Sequence, residues 1–265
     1  MLLFILLLAL MVLSISQVQL SDETIYEIML KHNIQDVENE VAFCNNFLQN
    51  EILSYASYDT LASTPRLKST IYLSKAALKV HGDFVETGVY RGGTTAIMMK
   101  LLMQFDKTRK LFAFDSFEGL PAPNLMDGDN SFGIKGVQGS INASMDEFVF
   151  NLKKWEAFDD NIIQISKGYF NETLPVSNVK QIAFLRLDGD LFISTHDALV
   201  NLYAKVVPGG YIYVDDYGSF AGCRKAVDIF RTKNHIFEKI HYVRENHNFN
   251  QITFEGIWWR KHLYE

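Results

Sequence analysis

An open, mostly parallel α/β sheet is the fold class this sequence predicts, with a helical region ahead of it and an antiparallel strand pair at its end. Three observations predict it. From residue 83 onward, short apolar runs alternate with stretches of helical periodicity, the mark of βαβ units. Several of those runs stop at glycine or aspartate, as strands do when they deliver loops to one sheet edge. The last two runs are joined by a short connection, which suits antiparallel strands. Hydrophobic residues make up 48% and charged residues 21% of the 265 residues. That globular balance excludes a disordered chain.

The elements follow in order. Residues 2–13, LLFILLLALMVL, are apolar without a break. A membrane-spanning helix needs about 20 such residues, so no stable span is expected. The run suits the core of a secretory signal peptide over residues 1–16, with Ser14 and Ser16 as the small residues before a cleavage. The Lys or Arg that usually precedes such a core is missing; an uncleaved anchor is the second choice and a buried helix the third. The expected location is the secretory pathway, secreted or lumenal. Asn142-Ala-Ser144 and Asn171-Glu-Thr173 are then glycosylation sequons. Residues 17–82 read as a helical cap. In it Thr64 is the expected N-cap before Pro65, a helix runs over 65–80, and Gly82 stops it.

Residues 83–265 form the sheet domain. Strands are expected at 83–87, 111–114, 162–166, 182–187, 210–214, 236–243 and 251–259. Helices are expected at 93–104, near 145–154, at 195–206 and at 222–232. Pro208-Gly209-Gly210 reads as a turn, and Ser144 with Glu147 as a helix capping box. Trp258 and Trp259 alternate on the last strand, one toward the core and one toward solvent.

Charge excludes one class of function. Lys plus Arg is 25 against 31 Asp plus Glu, a net charge of −6. A general nucleic-acid binder needs a cationic surplus that this chain lacks. Cys44 and Cys223 either form one bridge or stay free, and neither sets the fold. A homo-oligomer is compatible with these features.

The informative residues lie where strands stop. The first strand ends in VETGVYRGG, residues 85–93, with Glu86 followed by Gly88, Gly92 and Gly93. A glycine turn there lets a ligand approach the backbone and a helix start. Its spacing is not that of a nicotinamide dinucleotide site. The next strand ends at Asp115, where a carboxylate can accept both hydroxyls of a ribose or cap a helix. A later strand ends in RLDGD, giving Asp188 and Asp190, and the one after it in Asp215-Asp216. Neighbouring strands lie about 4.8 Å apart, so both acidic runs can reach one cation. Clustered carboxylates repel unless a cation offsets them, and oxygen ligands favour Mg²⁺, Mn²⁺ or Ca²⁺ over zinc. The bland alternative has these acids capping loops or pairing with Arg186 or Arg224. His196, on a helix start, faces either substrate or solvent.

With these segments in place the chain resembles the macrocin O-methyltransferases, which methylate sugar hydroxyls using S-adenosylmethionine. The resemblance runs from about Pro65 to Arg260. It is carried by GDFVETGVYRGGT, LFAFDSFEGLP, KGYFNETLP, LRLDGDLFISTHDALVNLY, PGGYIYVDDYGSFAGCRKAVDIFR and a closing Trp-Arg segment. It implies the Rossmann-like class I methyltransferase sheet. It implies cofactor contacts at Glu86, Gly88, Gly92, Gly93, Asp115 and Ser116; Tyr90 and Arg91 either touch the cofactor carboxylate or only shape the turn. It implies Mg²⁺ (or Mn²⁺) on Asp188, Asp215 and Asp216, Asp190 as general base, and a small-molecule or glycan hydroxyl as acceptor. Two rivals stand beside it. Asp188-Gly189-Asp190 also suits a lumenal glycosyltransferase, and the fold could serve a non-catalytic binding protein.

Overall fold

The computed structural model describes residues 59–128, 137–248 and 251–262, together with Asn46. The expected signal segment and the helical cap up to residue 58 lie, Asn46 aside, outside the described residues. Seven strands form one sheet in the order β3-β2-β1-β4-β5-β7-β6. They are β1 (Asp83–Thr87), β2 (Leu111–Asp115), β3 (Ile163–Lys167), β4 (Ile182–Leu187), β5 (Val206–Val214), β6 (His241–Asn248) and β7 (Gln251–Arg260). β1 to β5 pair in parallel, while β7 is antiparallel to both β5 and β6. Among the described residues from 59 onward the α-helices are α1 (Thr64–Ala77), α2 (Gly93–Phe105), α3 (Met145–Lys154), α4 (Phe170–Thr173), α5 (Phe192–Leu202) and α6 (Ala221–Lys233).

Alternation along each strand builds two cores. Val85, Leu185, Ile212 and Trp259 face one side, where α5 and α6 supply Leu199, Leu202, Val227 and Phe230. Phe84, Phe184, Tyr213 and Trp258 face the other, where α1, α2 and α3 supply Leu73, Met98, Leu102 and Phe148. Successive strand residues point to opposite faces, and both faces are covered. This is why Trp258 and Trp259 are both buried, against the expectation that one faces water. β7 is an interior strand, and Trp258 stacks on His241 with ring centroids 4.1 Å apart.

Several boundaries differ from expectation. The N-cap of α1 is Ser63, whose side chain accepts from the Arg66 amide, so Thr64 is already helical. α1 ends at Ala77, and Gly82 instead serves the entry to β1. A Cβ on Gly82 would stand 2.8 Å from the Ala183 nitrogen. The Pro208-Gly209-Gly210 run lies inside β5, where the pairing with β4 shifts register. α5 starts at Phe192, three residues earlier than the pattern suggests. β6 begins at His241, because α6 ends in a Schellman motif. His235 takes a φ of 53°, and the Ile236 and His235 amides donate back to Arg231 and Thr232. Ser144 caps α3 by accepting from the Glu147 amide. Cys223 is buried with a free thiol; Cys44 lies outside the described residues. Among the described residues no helix is long and apolar enough to cross a membrane.

Candidate active site

Register brings the site together. Thr87, Leu187 and Val214 are register partners across β1, β4 and β5. Gly88, Asp188 and Asp215 therefore leave the sheet level with one another. The ladder continues into the loops, with the Asp188 amide donating to Thr87 and the Asp215 amide to Leu187. Above this edge lies a cavity of about 260 Å³. Gly88, Tyr90, Asp115, Ser116, Asp188, Asp190, Asp215 and Asp216 all line it. The sequence reading singled out none of Tyr169, Phe170, Phe220 and Glu255 on the same wall; the first three lie within segments that carry the family resemblance, but an aromatic side chain there has no signal that separates wall from core.

The glycine turn and Asp115 form one unit. The Asp115 carboxylate accepts from the Val89, Tyr90 and Phe117 amides, at 2.8, 3.2 and 2.8 Å. Burial raises its pKa and these amides oppose the rise. The carboxylate is thus held in one orientation at the cavity wall. Gly88 takes a φ of +84°, and a Cβ there would fall 1.6 Å from the Asp188 carbonyl oxygen. Only glycine allows that approach. Tyr90 takes a φ of 48° and its residue lines the cavity.

The other expected cofactor residues stand behind the cavity rather than on it. Arg91 pairs with Glu147 at 3.0 Å, so Glu147 serves that ion pair as well as the start of α3. Gly92 lets Phe148 pack against the turn, since a Cβ would meet its ring at 2.9 Å. Gly93 opens α2. Glu86 is fully buried beneath the turn. It accepts from Thr94 at 2.6 Å, Thr95 at 2.5 Å and Arg186 at 3.1 Å. Burial still pushes its pKa up to about 7, against the pull of Arg186 and the two threonines.

Arg186 organises the acidic loops. It is the register partner of Glu86 on one side and Tyr213 on the other. A fully buried guanidinium needs partners on every side, and this one donates to Glu86, to Asp188 at 2.7 Å and to Asp215 at 2.7 Å. An arginine in an otherwise apolar strand, IAFLRL, was the signal for it in the sequence. Arg66, on α1, donates to the other Asp215 oxygen at 2.5 Å and to the Leu61 carbonyl at 2.8 Å. Nothing in the sequence links Arg66 to a residue so far along the chain. Arg224, the other candidate partner, instead donates to the Tyr217 carbonyl. His196 stacks on Phe192 and is absent from the cavity lining.

The carboxylates are unequal. Burial raises the Asp215 pKa, but Arg186 and Arg66 outweigh it and hold the group below its ordinary range. Asp188 is raised by burial and by Asp215. Asp216 is raised well above the ordinary range by burial and by Asp190, Asp188 and Asp215. Asp188, Asp215 and Asp216 each bring an oxygen within 4.8 Å of the others. Three hard oxygen donors that close fit an Mg²⁺-type cation, which would add to the partial offset that Arg186 and Arg66 already give Asp188 and Asp215. Asp190 lines the cavity beside them with a φ of 57°, and its amide donates to Asp216 at 3.3 Å.

The comparisons with known proteins bear on this geometry. The sequence model of the macrocin-O-methyltransferase family matches residues 64–261. The chain belongs to the macrocin-O-methyltransferase family. It is 35% identical over 185 residues to the demethyldecarbamoylnovobiocin O-methyltransferase of Streptomyces niveus, covering 69% of this chain and 67% of that one. It is 33% identical over 206 residues to the 8-demethyl-8-(2,3-dimethoxy-alpha-L-rhamnosyl)-tetracenomycin-C 4'-O-methyltransferase of Streptomyces olivaceus, covering 76% and 75% of the two chains. The solved O-methyltransferase NovP superposes with a TM-score of 0.66 at 31% identity, over 77% of this chain and 82% of that one. The sheet order is accordingly that of the class I O-methyltransferases, and the family member described here is an O-methyltransferase. Membership favours methyl transfer over the glycosyltransferase reading of Asp188-Gly189-Asp190.

Proposed function

We propose that this enzyme transfers a methyl group from S-adenosylmethionine to a hydroxyl of a sugar or glycosylated small molecule, assisted by Mg²⁺. One observation carries the reading. A single cavity joins an amide-clamped carboxylate beside a glycine turn, Asp115 and Gly88, to the cluster of Asp188, Asp190, Asp215 and Asp216. The family and the sugar-directed names of the relatives support the acceptor class.

Each residue has a task under this reading. Asp115 accepts the ribose hydroxyls of the methyl donor, and Gly88 with Tyr90 admits the donor to the backbone. Asp188, Asp215 and Asp216 hold the divalent cation, with Asp215 aimed by Arg186 and Arg66. When bound, that cation lowers the pKa of a coordinated hydroxyl and fixes its position. Asp190 takes the hydroxyl proton as the oxygen attacks the methyl carbon. The carbon–sulfur bond breaks, and the products are a methyl ether and S-adenosylhomocysteine.

The test is a calorimetric titration of S-adenosylhomocysteine, with nucleotide sugars as the competing series. Methyl-transfer assays on glycosides with and without Mg²⁺ follow it. Micromolar binding of S-adenosylhomocysteine alone is the expected result. Binding of a nucleotide sugar in its place overturns the reading, and binding of neither by folded protein favours a non-catalytic role. A secretory-pathway location belongs to the same proposal, supported by the apolar run at residues 2–13. Terminal sequencing of the exported protein should then begin at Gln17; an intact Met1 in a membrane fraction points to an anchor instead.

A further inference from the structure

We propose that Asp127 is a positioning residue, a buried carboxylate outside the cavity that ties the starts of α5 and α6 to the cavity wall. The inference rests on the metal reading above. α5 starts just after the Asp188–Asp190 loop, and α6 follows the Asp215-Asp216 loop. Neither helix has a side-chain cap of its own, since Leu191 and Phe220 occupy the N-cap positions. Helix starts leave backbone amides without partners.

Asp127 supplies the acceptor that α5 lacks and stands against the start of α6. One of its oxygens accepts the Phe192 amide at 2.6 Å, from 65 residues away in sequence. Its other oxygen accepts the Asn124 amide at 2.8 Å and closes the capping box of the short 3₁₀ turn Leu125–Asp127. The first oxygen also lies against α6, where a Cβ on Gly222 would stand 2.1 Å from it. Position 222 must therefore lack a side chain for this approach to exist. A carboxylate between two helix N-termini is also favoured by both helix dipoles. Gly119, Leu120 and Pro121, on the same segment as Asp127, line the cavity. Asp127 itself does not. Asp127 thus joins that wall to the start of α5 and abuts the start of α6, the two helices that follow the aspartate loops.

The experiment compares wild type with Asp127→Ala, Asp127→Asn and Gly222→Ala by three readouts. These are Mn²⁺ binding by spin resonance, S-adenosylhomocysteine binding by calorimetry, and amide hydrogen exchange over residues 190–193 and 220–223. Groups that hydrogen-bond metal ligands are worth about 10- to 100-fold in metal affinity; Asp127 acts one step further out, and a smaller but measurable loss of Mn²⁺ affinity is expected in Asp127→Ala. S-adenosylhomocysteine affinity should stay within about twofold, and exchange should quicken at both helix starts. Gly222→Ala should give the same signature with Asp127 intact. Asp127→Asn keeps a carbonyl acceptor and should fall between. Unchanged Mn²⁺ affinity in Asp127→Ala and Gly222→Ala, or quickened exchange confined to α5, overturns the proposal. If Asp127→Ala does not fold, the other two variants decide by the same criteria. A wild type that fails to bind Mn²⁺ sinks the metal reading and this inference with it. A wild type that binds, with variants equal to it, sinks this inference alone.

Discussion

Glu86 and the aspartates show how burial and charge compete at single residues. Glu86 has three donors, yet burial still lifts its pKa to about 7. A carboxyl whose folded pKa exceeds its unfolded value binds more protons when folded. Its contribution to stability is therefore full below the unfolded pKa, near 4.5, and is lost as pH rises through about 7. Glu86→Gln should flatten that part of the profile, read as urea midpoints between pH 5 and 8. A wild-type slope retained in the variant would assign it to other groups. Burial and neighbouring carboxylates also raise Asp188 and Asp216, and a divalent cation bound to them works against that rise. Mg²⁺ binding should release protons and tighten as pH rises. Calorimetry in two buffers of different ionisation enthalpy checks this, and a buffer-independent enthalpy counts against the ligand set. Asp190→Asn should cost about 10²- to 10⁴-fold in turnover while S-adenosylhomocysteine still binds.

At the scale of elements, the site depends on loops that leave adjacent strands at one level. β1 and β4 touch directly at their ends, through the Gly88 position and the Asp188 carbonyl. Gly88→Ala puts a methyl into that carbonyl at a backbone angle that side chains rarely adopt. It should destabilise the protein by about 2 kcal/mol or more and abolish S-adenosylhomocysteine binding. Thermal unfolding with and without the ligand measures both, and a ligand-induced shift kept at wild-type size would contradict the geometry. The helix signals were legible where they were local. Ser144 and α3 stand where the sequence placed them, and strands β1 and β4 match to the residue. Boundaries failed where a distant group capped a helix or where a helix end took up the residues that follow it. α5 starts early because Asp127 caps it from another loop, and β6 starts late because the Schellman end of α6 takes residues 235 and 236.

Across the whole molecule, one buried arginine links three strands. Arg186 joins Glu86, Asp188 and Asp215 beneath the cavity. Removing one partner of a buried ion network leaves charges uncompensated and typically costs about 3–5 kcal/mol. Arg186→Met should therefore lower stability by about that amount, seen in urea unfolding. A near-neutral result would mean that the carboxylates simply take up protons. The sequence alone determined the strand and helix alternation, the acids at strand ends and the family, since each is written in local patterns. It also marked Asp188, Asp190, Asp215, Asp216, Asp115 and Gly88 as residues of one sheet edge. The tertiary structure alone decided that Glu86, Arg91, Gly92 and Gly93 support the cavity from behind. It also decided that Arg66 reaches Asp215, and Asp127 the start of α5, from other elements. The reason is physical: a strand end is a local property of the chain. Which buried charge neutralises another depends on packing and register between segments that the sequence keeps far apart.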